Sequence, residues 1–212
     1  MPIPQPARDC ALCPRLNEFR RANALAWPDW HNAPVPSFGD ADTVLLIVGL
    51  APGLRGANRT GRPFTGDYAG DLLYPTIAEF GFGEGQFAAS PDDGFRMTRG
   101  RITNAVRCVP PENKPTTEEI NNCNPFLSAE IDCLPNLKAI LALGLIAHKA
   151  VLRARGLVAA RYAFGHGAIH ELPGGLLLAD SYHCSRYNTN TGRLTHDMFR
   201  NVFAELRRRL TD

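Results

Sequence analysis

The stretch that decides the fold is TVLLIVGLAPGLRGANRTGRPFTGDYAG, residues 43–70. Its first part, TVLLIV over 43–48, predicts a buried strand, and apolar residues at spacings of three and four predict a helix over about 70–80. A glycine-rich loop between a strand and a helix is typical of phosphate binding. This loop, however, has neither the GK[ST] of a nucleoside-triphosphate loop nor the G-x-G-x-x-G of dinucleotide-binding folds.

The alternation of strand and helix continues through the rest of the chain. Further strands are predicted over 101–108, 137–144, 168–172 and 175–183, and further helices over 117–133, 145–156 and 195–210. This order predicts a layered α/β fold around a parallel sheet. Because neither repeats nor a low-complexity linker interrupt the chain, we expect a single domain over residues 1–212.

Three polar motifs follow predicted strands, at 49–70, 104–117 and 182–195. Ligands of parallel α/β sheets bind beyond the carboxyl ends of the strands, so these motifs are expected to converge on one active site.

The composition bounds the class of protein. The chain has 212 residues, of which 44% are hydrophobic and 21% charged, as in one globular α/β domain. It contains no run of about 18 apolar residues, and its N-terminus lacks a signal-peptide pattern, so we expect a cytoplasmic protein of bacterial or archaeal type that does not enter membranes. We also expect a monomer.

Positive charge is carried mainly by arginine, since lysine occurs only at Lys114, Lys138 and Lys149. The planar guanidinium suits phosphates and base edges, although a GC-rich genome would also raise the arginine content. Two clusters, one in the glycine-rich loop and one around the second strand, are predicted to form a basic face for nucleic acid: Arg55, Arg59, Arg62, Arg96, Arg99, Arg101 and Arg107.

Four of the six cysteines have spacings that suit a metal site. Two residues separate Cys10 from Cys13, and fourteen separate Cys108 from Cys123. Four thiolates suit zinc or an iron–sulfur cluster. The alternative is that these are unconnected buried cysteines.

The motifs together resemble those of a known family. GLAPGLRGANRTGRPFTGDYAG is similar to the first motif of the type-5 (family 5) uracil-DNA glycosylases, TNAVRCVPPENKP to their second and YHCSRYNTNTGRLT to their third. The resemblance runs from Cys10 to the last helix. It implies a three-layer α/β/α fold with a central four-stranded parallel sheet. It also implies a [4Fe–4S] cluster on Cys10, Cys13, Cys108 and Cys123, which would tie in the N-terminal segment.

The activity that the resemblance implies is hydrolysis of the N-glycosidic bond of deaminated bases in DNA, with uracil and hypoxanthine as the main substrates and xanthine as a further candidate, which leaves an abasic site. Such an enzyme flips its base out of the duplex into a pocket. The partner would be DNA that contains deaminated bases. The absence of lysine from the first and third motifs indicates a monofunctional hydrolase without a Schiff-base lyase step.

Roles follow for individual residues of the pocket. Phe64 would stack on the base, with core packing as its alternative, and the backbone of Ala51 and Gly53 would donate hydrogen bonds to base or phosphate. Asn104 would read the base edge, unless it only ends a strand. His183 would stabilise negative charge on the departing base by donating to O2 of uracil.

The catalytic carboxylate is the open question. Sister branches carry a polar group at the positions of Leu50 or Ala51, and both are apolar here. Asp67 is then the nearest carboxylate of the motif, and with Asn104 it would position the attacking water. Its alternative role is that of a helix N-cap.

Contacts with DNA are expected from two loops. The predicted residues are Arg59, Arg62, Ser185, Arg186, Tyr187 and Asn188, with Arg186 or Tyr187 as a wedge in the gap left by the flipped base. Ordinary loop structure is the alternative for the last four, and holding the glycine-rich loop in shape is the alternative for Arg59 and Arg62. Two other functions also remain at this point: a metal-containing nucleotide hydrolase, and a nucleic-acid-binding module without catalysis.

Overall fold

The computed structural model describes residues 3–211, with the side chain of Thr211 left out. The elements that build the fold are, in chain order, α1 (Pro14–Ala26), β1 (Leu45–Gly49), α2 (Ala57–Thr60), α3 (Tyr68–Glu79), β2 (Gly83–Glu84), β3 (Arg96–Met97), β4 (Gly100–Asn104), α4 (Thr117–Asp132), β5 (Ala139–Leu143), α5 (Leu145–Ala154), β6 (Ile169–Glu171), β7 (Leu177–Ser181), α6 (Arg186–Asn190) and α7 (His196–Thr211). Short 3-10 turns lie at Pro111–Asn113 and Ala159–Arg161.

The central sheet has five strands in the order β4-β1-β5-β7-β6. The first four are parallel, whereas β6 pairs antiparallel with β7. The expectation of a four-stranded sheet is therefore corrected: the sheet has a fifth strand, β6, at its edge. The chain can add β6 next to β7 because both strands come from one hairpin, which needs no crossover helix.

Helices cover both faces of the sheet, which confirms the three-layer architecture. Along β1, Leu45 and Ile47 join a core with α3 and α7, while Leu46 and Val48 join a core with α4 and α5. Side chains of a strand point alternately to its two faces, so a strand covered on both sides is apolar throughout. This is why TVLLIV has no polar alternation.

Several boundaries differ from the predicted ones. The second predicted strand, 101–108, ends at Asn104, since residues 105–108 leave the sheet toward the cysteines. Residues 82–100, which gave no pattern, contain the small antiparallel pair β2-β3. The N-terminal helix α1 was not predicted.

The N-terminal segment is held against the rest of the chain by polar contacts. Arg15 pairs with Glu119 through two hydrogen bonds of 2.7 Å, and the amide of Asn122 donates to the carbonyl oxygen of Leu12 at 3.1 Å. Glu119 also completes the capping box of α4 with Thr116. α1 and the start of α4 are thus joined. Among the helices of residues 3–211, none has the length and apolarity needed to cross a membrane.

Candidate active site

A cavity of about 400 Å³ lies where the parallel strands end. Its walls come from the loop after β1, the end of β4 and the loop after β7, so the structure brings the three polar motifs together. The lining residues are Leu50, Ala51, Pro52, Gly53, Ala57, Phe64, Asp67, Tyr68, Ala69, Asn104, Asn113, His183, Ser185 and Arg186.

Asp67 occupies the N-cap position of α3, but its side chain makes no capping hydrogen bond. Its Oδ1 atom is buried and has no hydrogen-bond partner. Two glycines make room for the other side of the carboxylate. A Cβ on Gly53 would lie 3.2 Å from Oδ2, and one on Gly56 would lie 2.9 Å from Cγ.

The environment of Asp67 favours its protonated form. Burial raises the pKa of this carboxyl, the nearby amides of Ala69 and Gly70 offset part of the rise, and the charge of Asp71 adds to it. These amides influence the carboxyl without capping it. The N-cap position of Asp67 and its unpartnered Oδ1 are compatible with both predicted roles, the helix cap and the positioning of water.

Asn104 is the last residue of β4 and pairs in register with Gly49, the last residue of β1. Its side chain is 3% exposed, and its Oδ1 is buried without a partner. A Cβ on Gly49 would collide with this oxygen and would lie 2.5 Å from Cζ of Phe64. Glycine at this position thus lets the amide and the aromatic ring meet at the end of the strand.

Phe64 lies in the left-handed region, at φ 54°. Strained backbone of this kind in a non-glycine residue is held only where the surrounding structure fixes it, and it occurs most at functional sites. Gly70 allows this conformation, because a Cβ there would overlap the carbonyl of Phe64. The ring is 6% exposed, belongs to the core and lines the cavity, so packing and stacking roles are compatible.

His183 follows β7, with its imidazole 5.9 Å from the ring of Phe64 and tilted by 30°. Desolvation lowers the pKa of His183 to about 4, so its ring is neutral at pH 7. A neutral imidazole still donates one N–H. The following loop is shaped by Ser185, which caps α6, and by Asn188, whose amide donates to the carbonyl of His183 at 2.8 Å.

The rim of the cavity carries exposed cationic and aromatic side chains. The guanidinium of Arg186 lies 5.2 Å from the ring centre of Tyr68. Tyr187 is 72% exposed, and Arg59 is exposed on α2. Tyr68 and Asn113 also line the cavity; neither was predicted as a pocket residue, although each lies within one of the three motifs.

Arg62 corrects one prediction. Its side chain is 5% exposed and forms two hydrogen bonds with Asp93, of 2.8 and 2.7 Å. The guanidinium is also surrounded by the rings of Phe38, Tyr74 and Phe87, at 5.1 to 5.6 Å. It is therefore not available to a DNA phosphate, and it holds the glycine-rich loop in shape.

Two arginines of the second cluster are also not part of a basic face. Arg101 and Arg107 are buried and share the fully buried Glu130, at 2.6 and 2.5 Å. Their charges are neutralised inside the protein, because removing a guanidinium from water requires a close counter-charge. Arg96 pairs with Glu84 at the surface, at 2.7 Å.

The four predicted ligand cysteines line one small apolar cavity: Cys10, Cys13, Cys108 and Cys123. None forms a disulfide, and the amide of Arg107 donates to Sγ of Cys123 at 3.3 Å. Burial raises the pKa of the Cys108 thiol to about 12, while the charge of Arg20 acts in the opposite direction. Residues 3–211 contain no group of three or more His, Cys, Asp or Glu side chains arranged around a single ion. A four-iron cluster is wider than an ion, so its thiolates lie farther apart.

Comparison with known proteins gives a consistent set of relatives. The family model described as the uracil DNA glycosylase superfamily matches residues 36–207. A type-5 uracil-DNA glycosylase of Thermus thermophilus is 46% identical over 204 residues, covering 94% of this chain and 93% of that protein. Proteins of the same name from Mycobacterium bovis and Pyrobaculum aerophilum are 41% and 40% identical, covering 94% and 96% of this chain and 77% and 89% of their own lengths.

Proposed function

The chain belongs to the uracil-DNA glycosylase superfamily and within it to the type-5 branch, so it is a DNA-repair glycosylase, and from this premise we propose how its cavity works. A deaminated base flips out of DNA into the cavity, where water hydrolyses its N-glycosidic bond and leaves an abasic site. The observation that carries the proposal is a pair of buried oxygens without partners, Oδ1 of Asp67 and Oδ1 of Asn104, in one cavity with His183 and Phe64.

Asn104 is the group that reads the base. A buried acceptor without a partner is unfavourable, and a base that donates an N–H to it removes that cost. Its amide nitrogen can at the same time donate to a carbonyl of the base. Uracil and hypoxanthine both present such a donor next to an acceptor, whereas the amino groups of cytosine and adenine replace the acceptor.

Asp67 acts on the water and on the sugar. As a carboxylate it accepts a hydrogen bond from the attacking water, and its negative charge stabilises the positive charge that develops on the sugar. Leu50 and Ala51 line the same cavity and are apolar, which leaves Asp67 as the carboxylate among its lining residues. His183 donates from its neutral ring to O2 of the departing base, where negative charge accumulates.

Substrate range follows from the small number of polar groups in the cavity. Most of its lining is apolar or backbone, so few contacts distinguish a single ring from a purine. We therefore propose action on uracil and hypoxanthine, and on xanthine to a lesser extent. Arg186 lines the cavity, and with the exposed Arg59 and Tyr187 it suits a polymer rather than a free nucleotide. We propose no lyase step.

The four cysteines suit a [4Fe–4S] cluster, and we propose that they hold one. Their shared cavity, the N–H contact to Cys123 and the absence of disulfides support this. Such a cluster would supply a structural crosslink, because hydrolysis needs no electron. Cys10 and Cys13 would be joined to Cys108, which lies four residues after Asn104 in the chain.

The decisive test is a panel of end-labelled duplexes carrying one uracil, hypoxanthine, xanthine or thymine, incubated with excess enzyme and treated with alkali. We expect cleavage at uracil and hypoxanthine, and no strand cleavage without alkali. Asp67→Asn should lower the single-turnover rate by about 10²–10⁴-fold with little loss of DNA binding.

The matched control is Glu171→Gln, which alters an exposed carboxylate on β6 outside the lining of the cavity and should cleave at the wild-type rate. Intact uracil strands at high enzyme excess would overturn the proposed activity. An unchanged rate in Asp67→Asn would remove Asp67 from the reaction.

A further inference from the structure

Arg20 is buried without an acidic partner. Its side chain, 4% exposed, donates to the carbonyl oxygens of Arg8 and Cys10, at 2.9 and 2.5 Å, and to the side chain of Asn17 at 3.3 Å. Its Nε is buried without an acceptor. Within the described part of the chain, no carboxylate forms an ion pair with it.

The other buried arginines show that this is an exception. Arg62 has Asp93, and Arg101 and Arg107 share Glu130. Placing a guanidinium away from water is strongly unfavourable unless a negative charge compensates it, and neutral carbonyls do so only in part. An arginine retained in such a position indicates that a negative charge is present nearby in the working protein.

The four-cysteine cavity is where that charge can arise. Arg20 donates a hydrogen bond to the carbonyl oxygen of one predicted ligand, Cys10, and so lies beside this cavity. Metal binding requires cysteines as thiolates and releases their protons to solvent. Four thiolates carry more negative charge than either Zn²⁺ or an oxidised four-iron cluster supplies positive charge, so the loaded site is anionic with either metal.

We propose that Arg20 is the charge-balancing and positioning residue of the four-cysteine metal site. Its terminal nitrogens fix the backbone of residues 8–10, from which the Cys10 thiolate reaches the metal, and its positive charge compensates the anionic centre. This inference rests on the proposed metal site and is independent of the glycosylase reaction. It predicts that the charge matters in addition to the hydrogen bonds.

The test uses three full-length variants. Arg20→Gln removes the charge, Arg20→Lys keeps it, and Arg21→Gln is the matched control, since Arg21 is the exposed neighbour on the same helix. Iron, zinc and acid-labile sulfide per chain would be measured, together with the rate of metal loss to a chelator and, for an iron–sulfur cluster, the midpoint potential.

We expect Arg20→Gln to lose its metal about 10–100-fold faster than the wild type, as for other residues that support metal ligands. A cluster that remains should have a more negative potential, because the reduced state loses a stabilising cation. Arg20→Lys should retain most of the metal, and Arg21→Gln should match the wild type. If Arg20→Gln is insoluble, Arg20→Met, which also removes the charge and keeps an unbranched side chain, replaces it in the same chelator assay with the same expected result.

Two outcomes would overturn the inference. One is wild-type metal loss and potential in Arg20→Gln, and the other is metal loss in Arg20→Lys as fast as in Arg20→Gln, which would leave only a hydrogen-bonding role. Metal-free wild-type protein that cleaves uracil-containing DNA would also overturn it while the proposed function stands. A metal-loaded enzyme that does not cleave uracil-containing DNA would overturn the proposed function and leave the inference about Arg20 standing.

Discussion

At the scale of the residue, the cavity is defined by two oxygens that the protein leaves without hydrogen bonds. Proteins satisfy nearly all buried polar atoms, and exceptions need an explanation. Oδ1 of Asp67 and Oδ1 of Asn104 are exceptions, and both line the cavity. In the proposed mechanism a base donates a hydrogen bond to Asn104 and a water molecule donates one to Asp67, so the cavity is organised for a ligand.

The pH dependence of the reaction belongs to the same scale. Burial raises the pKa of Asp67, and the proposed mechanism uses its carboxylate, so we expect the rate to fall on acidification at a higher pH than for an ordinary aspartate. The pKa of His183, about 4, keeps its ring neutral from about pH 5 upward, so His183 should add no further limb between pH 5 and 9. Single-turnover rates measured from acidic pH up to pH 9 locate the pH at which the rate falls.

The variant Asp67→Asn should lose the acid limb, because an amide does not titrate. A limb that stays at the same pH in the residual activity of this variant would assign the titration to another group.

At the scale of the element, the loop after β1 is glycine-rich because other side chains need its space. Gly56, the residue before α2, has its Cα facing the Asp67 carboxylate at the start of α3. The two elements can approach only because position 56 has no side chain. Gly53 and Gly56 thus allow close packing around the carboxylate of Asp67.

Gly56→Ala should therefore damage catalysis. The new methyl group would lie 2.9 Å from Cγ of Asp67, so the carboxylate must move. Displacement of a catalytic group by about 1 Å can cost about 10²-fold in rate, and we expect a loss of that order in single-turnover cleavage. Gly165→Ala is the control, because its Cβ would have an ordinary 3.8 Å contact with Ala168. Equal rates in the two variants would contradict this account.

At the scale of the whole molecule, buried ion pairs join segments that are distant in sequence. Glu130 on α4 bonds Arg101 on β4 and Arg107 beyond it, and Arg107 also donates to Gln5 and Ser37. This network connects the N-terminal segment, the strand β4, which carries Asn104, and the helix α4. It would hold the cavity wall in position whether or not DNA is bound.

Glu130→Gln should destabilise the protein strongly, because it leaves two buried guanidinium groups without their carboxylate. Breaking a buried pair costs about 3–5 kcal/mol, which corresponds to a fall in Tm of roughly 6–20 °C for a chain of this size. Thermal unfolding followed by circular dichroism measures it.

The control is Glu79→Gln, which removes the partner of Arg200 in an exposed pair and should change stability by less than about 1 kcal/mol. Similar Tm values for the two variants would show that the two buried guanidinium groups do not depend on the carboxylate of Glu130.

The sequence by itself determined the strands of the parallel sheet, the helices that cover them and the three motifs, but not α1 or the pair β2-β3. Periodic apolar patterns are local properties, which is why TVLLIV and the covering helices could be predicted without coordinates. Only the tertiary structure decided what each polar group faces. In the sequence, all these arginines look equivalent. In the structure, Arg62, Arg101 and Arg107 are buried against Asp93 or Glu130. Arg59 and Arg186 are exposed. The physical reason is that burial and charge pairing depend on contacts between residues far apart in the chain, and sequence spacing does not specify them.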